Sequence, residues 1–363
     1  MVNHGLWEQI AQPKNKLAVG TKVLYKRKVS KGGKVEKYKC RLDGDLRQFD
    51  AEQAFLKADI DEEVYIEISG RFRHFPGVVG KLNKAIYRLV QARRCWNIKF
   101  CDGMTAIGFK QSRADPFMFR KVVDGEVAMV VIVHVDDILA HAKGRATMEW
   151  FATQLGGRFK LKDLGDAEFY MGCHLTRNRK ARELKLDQHM YVQSMAEKFG
   201  VEKMRRISAM SLASALLNGD ELKTRDEKEE MTKFPYRDVV RALVWTATMT
   251  RPDIAYAVRG VARFCENPGS AHKKAVIKIV QCLLHTMEWG IKYGGQGCGL
   301  SIEAYTESDF GAYLDTRRSV SGGVVMLAKG AISWHSRMQE IIVSGTSEAE
   351  YVALSESVKD AIF

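Results

Sequence analysis

One short run constrains the fold of this chain more than any other. From Ala128 to Ala140 it reads Ala-Met-Val-Val-Ile-Val-His-Val-Asp-Asp-Ile-Leu-Ala, two adjacent acids between apolar, β-branched stretches. Such stretches favour strands, so the pattern predicts two strands joined by a tight turn with Asp136 and Asp137 at its tip. Carboxylates this close beside a buried sheet repel each other unless a cation neutralises them. An all-oxygen donor set favours magnesium or manganese. An exposed acidic turn is equally compatible with the run alone, and both readings stand at this point.

A second acid adds to the first pair. Phe49-Asp50-Ala51-Glu52-Gln53-Ala54-Phe55 places Asp50 at the end of a short strand, before a helical turn. Its plainer role is a helix N-cap. Three carboxylates on two adjacent strands could hold two cations for in-line nucleotidyl transfer. One ion would activate a primer hydroxyl and the other would stabilise the leaving pyrophosphate.

Charge points the same way. The 363 residues carry 57 Lys plus Arg against 44 Asp plus Glu, a net +13 that suits a polyanionic partner. Between Gln12 and Leu42 eleven basic residues, Lys39 and Arg41 among them, face one acid, Glu36. Thr21 to Val29, the Gly32-Gly33 turn signal and Val35 to Leu42 read as a basic hairpin, suited to phosphate contact without sequence readout; a solvated charged hairpin is the plainer alternative. No apolar stretch reaches the roughly 20 residues of a spanning helix, and Met1 to Pro13 lacks a signal-peptide core. A soluble, intracellular protein, cytoplasmic or nuclear and without a membrane partner, is expected. Seven cysteines without a Cys-x-x-Cys pair argue against a disulfide framework or zinc knuckle. The nine histidines show no paired ligand spacing.

Periodicity predicts a strand, a helical stretch and a strand over Leu46–Ile66, and a helix over Lys81–Phe100 with Leu82, Ala85, Ile86 and Leu89 on one face. Strands are expected at Phe117–Val123, Val127–Ala140 and Phe169–Thr176. Helices are expected at Ala146–Leu155 and at Leu186–Phe199, the latter opening on Asp187 as N-cap. A polar linker is placed at Asn218–Lys233. Beyond it come a mainly helical stretch, Tyr236–Tyr293, then strands at Leu300–Tyr305, Val320–Ala328 and Ile332–Trp334. A last helix starts near Ser347.

Four segments occur in the order of a reverse transcriptase palm: Asp50-x-x-x-Ala54-Phe55, Glu62-Glu63-Val-Tyr65, the run from Lys81 to Trp96, and Val135-Asp136-Asp137-Ile138-Leu139. Leu161-Lys-Asp-Leu-Gly-Asp166 and Thr250-Arg-Pro-Asp-Ile-Ala-Tyr-Ala257 continue the series. The chain resembles the Pol polyproteins of copia-type LTR retrotransposons from Trp7 to Phe363. The resemblance implies an α+β fold: a palm of antiparallel sheet with packed helices, a helical connection, and part of a ribonuclease H-like mixed sheet. The implied domains are a fingers remnant at 1–45, palm and thumb-like region at 46–207, linker and connection at 208–298, and a truncated ribonuclease H-like part at 299–363. It also implies that Asp50, Asp136 and Asp137 are catalytic metal-binding acids for Mg2+ or Mn2+. Phe55 would stack under the incoming sugar, although a core aromatic has the same look. Gln91 would line the nucleotide and template, and Lys39 and Arg41 would hold the triphosphate. The partners would be an RNA template, a DNA primer and dNTPs.

Ala304–Gly311, Leu314–Gly322 and Ser347–Leu354 resemble the family's ribonuclease H segments, with Glu307, Asp309 and Glu350 as the remnant acids. Glu307 stands where the family has Asp. That shifts a ligand by about 1 Å, enough to cost on the order of a hundredfold in rate. Ser347-x-x-Glu350 also fits a capping box. Further catalytic elements would follow Phe363, so no ribonuclease H activity is expected. In the polymerase half only Asp43–Phe49 separate Leu42 from Asp50 where the family has a long fingers segment. Arg88 and Arg241 replace customary glycines, Arg93 a proline and His134 a tyrosine, and bulk at such glycines threatens the template cleft. The expectation is a degenerate RNA-directed DNA polymerase. A non-catalytic nucleic-acid-binding remnant is the alternative, and an unstable fragment with an uncovered apolar face is the third reading.

Overall fold

A computed structural model describes residues 7–11, 44–67, 78–87, 89–208, 216, 219, 224, 229, 231–299 and 301–362. The basic hairpin expected at 12–42, with Lys39 and Arg41, lies outside the described residues, as do Arg88 and most of the 218–233 linker. The chain divides into two compact units, Met1–Met171 and Gly172–Phe363.

The first unit runs β1 (Trp7–Ala11), β2 (Asp45–Ala51), α1 (Ala54–Lys57), β3 (Tyr65–Glu67), β4 (Val78–Leu82), α2 (Ala92–Ala106), β5 (Lys110–Gln111), β6 (Met118–Val123), β7 (Glu126–His134), β8 (Asp137–Ala142), α3 (Arg145–Gly156), β9 (Leu161–Asp166) and β10 (Phe169–Tyr170). Six of these strands form one sheet in the order β5-β6-β7-β8-β2-β9, antiparallel throughout. A smaller sheet has the order β1-β4-β3.

Alternation sets the large sheet's two faces. Phe119, Val131, Ala140, Val133, Ile138 and Phe49 are buried and meet as cross-strand partners. They pack with Trp96, Phe100 and Met104 of α2 and Met148, Phe151 and Leu155 of α3 in one core. Met148, Phe151 and Leu155 recur at helical spacing, which puts all three on one side of α3. Each large side chain so buried contributes roughly 1.5–3 kcal/mol.

The helix expected over Lys81–Phe100 begins only at Ala92. Residues 78–82 are strand β4, and Lys84 makes an isolated bridge with Asp59. The Ala85 N–H donates to the Ala58 carbonyl at 3.0 Å. Leu82 and Ala85 are therefore buried at helix-like spacing without a helix: backbone pairing claims the segment that the apolar period alone assigns to a turn of helix.

The second unit runs β11 (Cys173–Asn178), β12 (Glu183–Asp187), α4 (His189–Lys198), α5 (Tyr236–Met249), α6 (Ala255–Ala262), α7 (Ser270–His285), β13 (Gly290–Gly294), β14 (Ile302–Ser308), β15 (Val320–Leu327), β16 (Gly330–Met338) and α8 (Thr346–Ile362). The strand expected at Phe169–Thr176 is broken, because Met171 and Gly172 both have positive φ. Strands β11, β12 and β13 pair antiparallel. Val192, Met195, Val240, Leu243, Val258, Ile279 and Leu283 form a helical core. Arg251, 2% exposed, grips both Asp253 oxygens at 2.8 and 2.7 Å and the Thr286 carbonyl at 3.0 Å. It thereby ties the turn before α6 to the end of α7.

Strands β14, β15 and β16 are antiparallel throughout, where a mixed sheet was expected. They are consecutive and joined by direct returns, and parallel pairing needs a crossover of a dozen or more residues. Among the described residues no helix is long and apolar enough to cross a membrane.

One substitution tests the core of the first unit. A methyl group at Gly103 in α2 would lie 2.6 Å from the Phe159 ring, which stacks on Phe100 and meets Trp96 edge-on. Glycine to alanine inside a helix normally gains about 1 kcal/mol. Here overpacking should outweigh that gain, and Gly103→Ala is expected to destabilise by about 1–3 kcal/mol, read as a lower urea midpoint.

Candidate active site

The turn between β7 and β8 has two residues, Val135 and Asp136, closed by the pair His134–Asp137. Asp137 is thus the first residue of a strand, not a loop residue. Val135 has φ +60°, a conformation usually left to glycine at the first position of a two-residue hairpin turn. A β-branched residue there costs on the order of 1–3 kcal/mol and persists only where its surroundings hold it. Two bonds do so. The Trp96 indole N–H donates to the Val135 carbonyl, and the Ala51 N–H donates to the Asp136 carbonyl at 2.9 Å.

The second of those bonds comes from the residue after Asp50. Asp50 pairs directly with Asp137 across β2 and β8 and with Lys162 across β2 and β9. Residues directly opposite in a sheet share a face. His134, Asp137, Asp50 and Lys162 therefore form a row on the face opposite the packed helices. The β2–β9 register shifts between Gln48 and Phe49, and such bulges re-aim neighbouring side chains. Gln48, buried on the same face, donates from Nε2 to Asp137 Oδ1 at 3.2 Å.

The electrostatics follow from this placement. Burial, with Asp136 and Asp137 close by, pushes the Asp50 carboxyl above the usual aspartate range, and Lys162 opposes the shift. The acids stand near enough to repel. Among the described residues, three donor atoms all within 4.8 Å of one another occur at His174, Asp187 and His189 and not at these three carboxylates.

The other expected residues divide. Phe55 lies on α1, 6% exposed in the core, with its ring edge-on to Tyr87 at 4.8 Å. Tyr87 is 53% exposed. Burial, then Asp136 and Asp50, raise its phenol, which places it at the rim of the acid row. Sequence reasoning passed over Tyr87, although it sits inside the Lys81–Trp96 run. Gln91 precedes α2, and its carbonyl accepts from the Cys95 N–H at 3.0 Å; its side chain does not cap the helix. Tyr170 was also missed. Burial, then Asp137 and Asp115, raise its phenol, and among the described residues its buried hydroxyl has no hydrogen-bond partner.

In the second unit, Glu307 lies on β14 and Asp309 just beyond it. The Ser308 N–H donates to Glu350 Oε1 at 3.3 Å, so Glu350 of α8 reaches the end of β14. Asp309 Oδ1 accepts the Val320 N–H at 2.6 Å. Ser347 lies inside α8, and just before the helix Ser344 donates from its N–H and hydroxyl to Glu348 Oε2 at 2.7 and 2.8 Å.

Residues 43–210 match the family model described as reverse transcriptase (RNA-dependent DNA polymerase). The chain is 34% identical over 330 residues to the retrovirus-related Pol polyprotein from transposon TNT 1-94 of Nicotiana tabacum, a match covering 89% of the chain and 24% of that protein. It is 29% identical over 314 residues to the Pol polyprotein from transposon RE1 of Arabidopsis thaliana, covering 86% of the chain and 21% of that protein. The chain thus spans less than a quarter of the length of these relatives. Among solved structures, a foamy viral protease–reverse transcriptase in complex with double-stranded DNA superposes with a TM-score of 0.50 at 10% identity. That superposition covers 89% of this chain and 48% of that one, a likeness of fold.

The raised Asp50 carboxyl sets a sign for stability. Its proton affinity is higher folded than unfolded, so its contribution is fully present below the ordinary value of 3.8 and is lost as pH rises through the folded value. At pH 7 without divalent cations, Asp50→Asn is therefore expected to melt above wild type. That advantage should vanish when melting is followed down to about pH 3.

Proposed function

The chain belongs to the reverse transcriptase family carried by the Pol polyproteins of copia-type retrotransposons, and on that premise we propose that it extends a DNA primer on an RNA template from dNTPs. The observation that carries the reading is the direct pairing of Asp50 with Asp137 beside a turn whose carbonyls are held by Trp96 and Ala51.

Asp50, Asp136 and Asp137 fit hard divalent cations. All their donors are oxygen, and burial, with the repulsion of Asp136 and Asp137 added to it, raises the carboxyl of Asp50. They would hold Mg2+ or Mn2+, which supply activation of the primer hydroxyl and stabilisation of the leaving pyrophosphate. Gln48 orients Asp137 through its amide. Lys162, opposite Asp50 in the register, limits the charge left over. Val130, Ile132, Leu139 and Arg120 continue the acid-bearing face, a mixed apolar and basic surface suited to a duplex. With Phe55 buried behind it, Tyr87 offers the exposed aromatic surface that an incoming sugar would meet, a role the family resemblance gives to Phe55. Gln91, Lys39 and Arg41 remain the residues proposed for nucleotide and template contact. Ribonuclease H cleavage is not part of the proposed activity.

Extension of a labelled DNA primer on an RNA template with Mg2+ or Mn2+ tests the reading. Asp136→Asn is expected to lower the rate at least about a hundredfold, the loss typical of a misplaced reacting group. Salt-sensitive template binding should persist in the variant. Binding by wild type without any extension would leave the remnant reading in its place.

A further inference from the structure

The second unit holds a cluster that the polymerase reading does not use. His174 on β11 and Asp187 on β12 are direct cross-strand partners, and His189 opens α4 two residues later. Asp187 is buried to 1%. His189 Nδ1 lies 2.5 Å from Asp187 Oδ1, and His174 Nδ1 lies 3.6 Å from Asp187 Oδ2. The two imidazole rings meet edge-on with centroids 4.9 Å apart. One donor atom from each residue falls within 4.8 Å of the other two.

We propose that His174, Asp187 and His189 form a binding site for a transition-metal ion of the zinc class. Two imidazole nitrogens and a carboxylate are the protein ligands of open zinc sites, which keep a fourth position for water. Borderline-soft nitrogen donors separate this site from the all-oxygen acids of the first unit, which suit magnesium. Each ligand comes from a strand or a helix start, so the donors are held by backbone pairing. Gln188, between Asp187 and His189, is buried to 2% and accepts from the Thr250 hydroxyl at 2.8 Å, which fixes the path from strand to helix. Both histidine side chains are 29% exposed, leaving a way in for an ion. Lys185 Nζ lies 3.1 Å from Asp187 Oδ2 and competes as a cation, and the Thr176 hydroxyl lies 3.4 Å from His174 Nδ1.

The sequence conceals this site because strand register, not spacing along one helix, brings His174 to Asp187 and His189. The nine histidines looked unpaired for that reason.

The test is titration of the full chain, stripped of metal, with Zn2+ in a calorimeter. One ion per chain is expected, with affinity at least about a hundredfold weaker in His174→Ala and in His189→Ala, a loss no smaller than that from removing an outer-shell partner. Lys185→Gln should bind more tightly, and Asp136→Asn should bind like wild type. Zinc should also raise the melting temperature of wild type and of Asp136→Asn by mass action. If a histidine variant does not fold, X-ray absorption at the zinc edge of the wild-type complex decides, with two imidazole nitrogens expected at about 2.0–2.1 Å. Absence of zinc binding, equal affinity in the folded histidine variants, or an edge spectrum without imidazole would overturn the proposal.

Discussion

Two hydrogen bonds to a two-residue turn decide where the acids of the first unit stand. Trp96 holds the Val135 carbonyl and Ala51 holds that of Asp136. A valine at φ +60° would otherwise relax, and Asp136 would move with it. The second bond belongs to the strand that carries Asp50, so one contact both closes the turn and brings the early acid beside the later pair. The tryptophan belongs to α2, so the helix that fills the core on one face of the sheet also sets the geometry of the other face. Burial of the core and placement of the acids are here one mechanical problem with a shared solution.

How far this could be read from residues depended on where each signal resides. The pattern of Ala128–Ala140 contains its own structure: alternation, β-branching and the acidic pair specify two strands and a tight turn, and the turn falls one residue earlier than expected, at Val135 and Asp136 with Asp137 already in the strand. Asp50 was found by its neighbours Ala54 and Phe55 and by family resemblance. Its pairing with Asp137 is a register, and no single segment states a register. The failure over 81–91 has the same origin. Leu82 and Ala85 have helical spacing, yet the bridge between Lys84 and Asp59 and the bond from Ala85 to Ala58 come from partners more than twenty positions away. Local periodicity has no access to them.

The second unit shows the limits of motif reading in another form. Thr250–Ala257 was recognised as a family signature, and the structure supplies a reason for it: Arg251 bonds to Asp253 and Thr286 at once, and Thr250 bonds to Gln188. These are structural duties of a kind that leaves a strong trace in sequence without marking chemistry. His174, Asp187 and His189 show the reverse case, close in space and silent in sequence. Ser347-x-x-Glu350 matched a capping pattern, but Ser347 lies inside the helix, Glu348 takes the bonds from Ser344, and Glu350 meets the backbone at Ser308.

The alternation along β8 has a consequence for how the chain assembles. A slip of β8 by one position against β2 would push Asp137 into the oily layer occupied by Phe49 and turn Ile138 out to water. The error would compound at every second residue from 137 to 142. Such a hairpin has no half-correct neighbour to settle into, so its assembly behaves as a lock that engages in one notch. Once engaged, it delivers the acids to their seats as a by-product of keeping grease away from water.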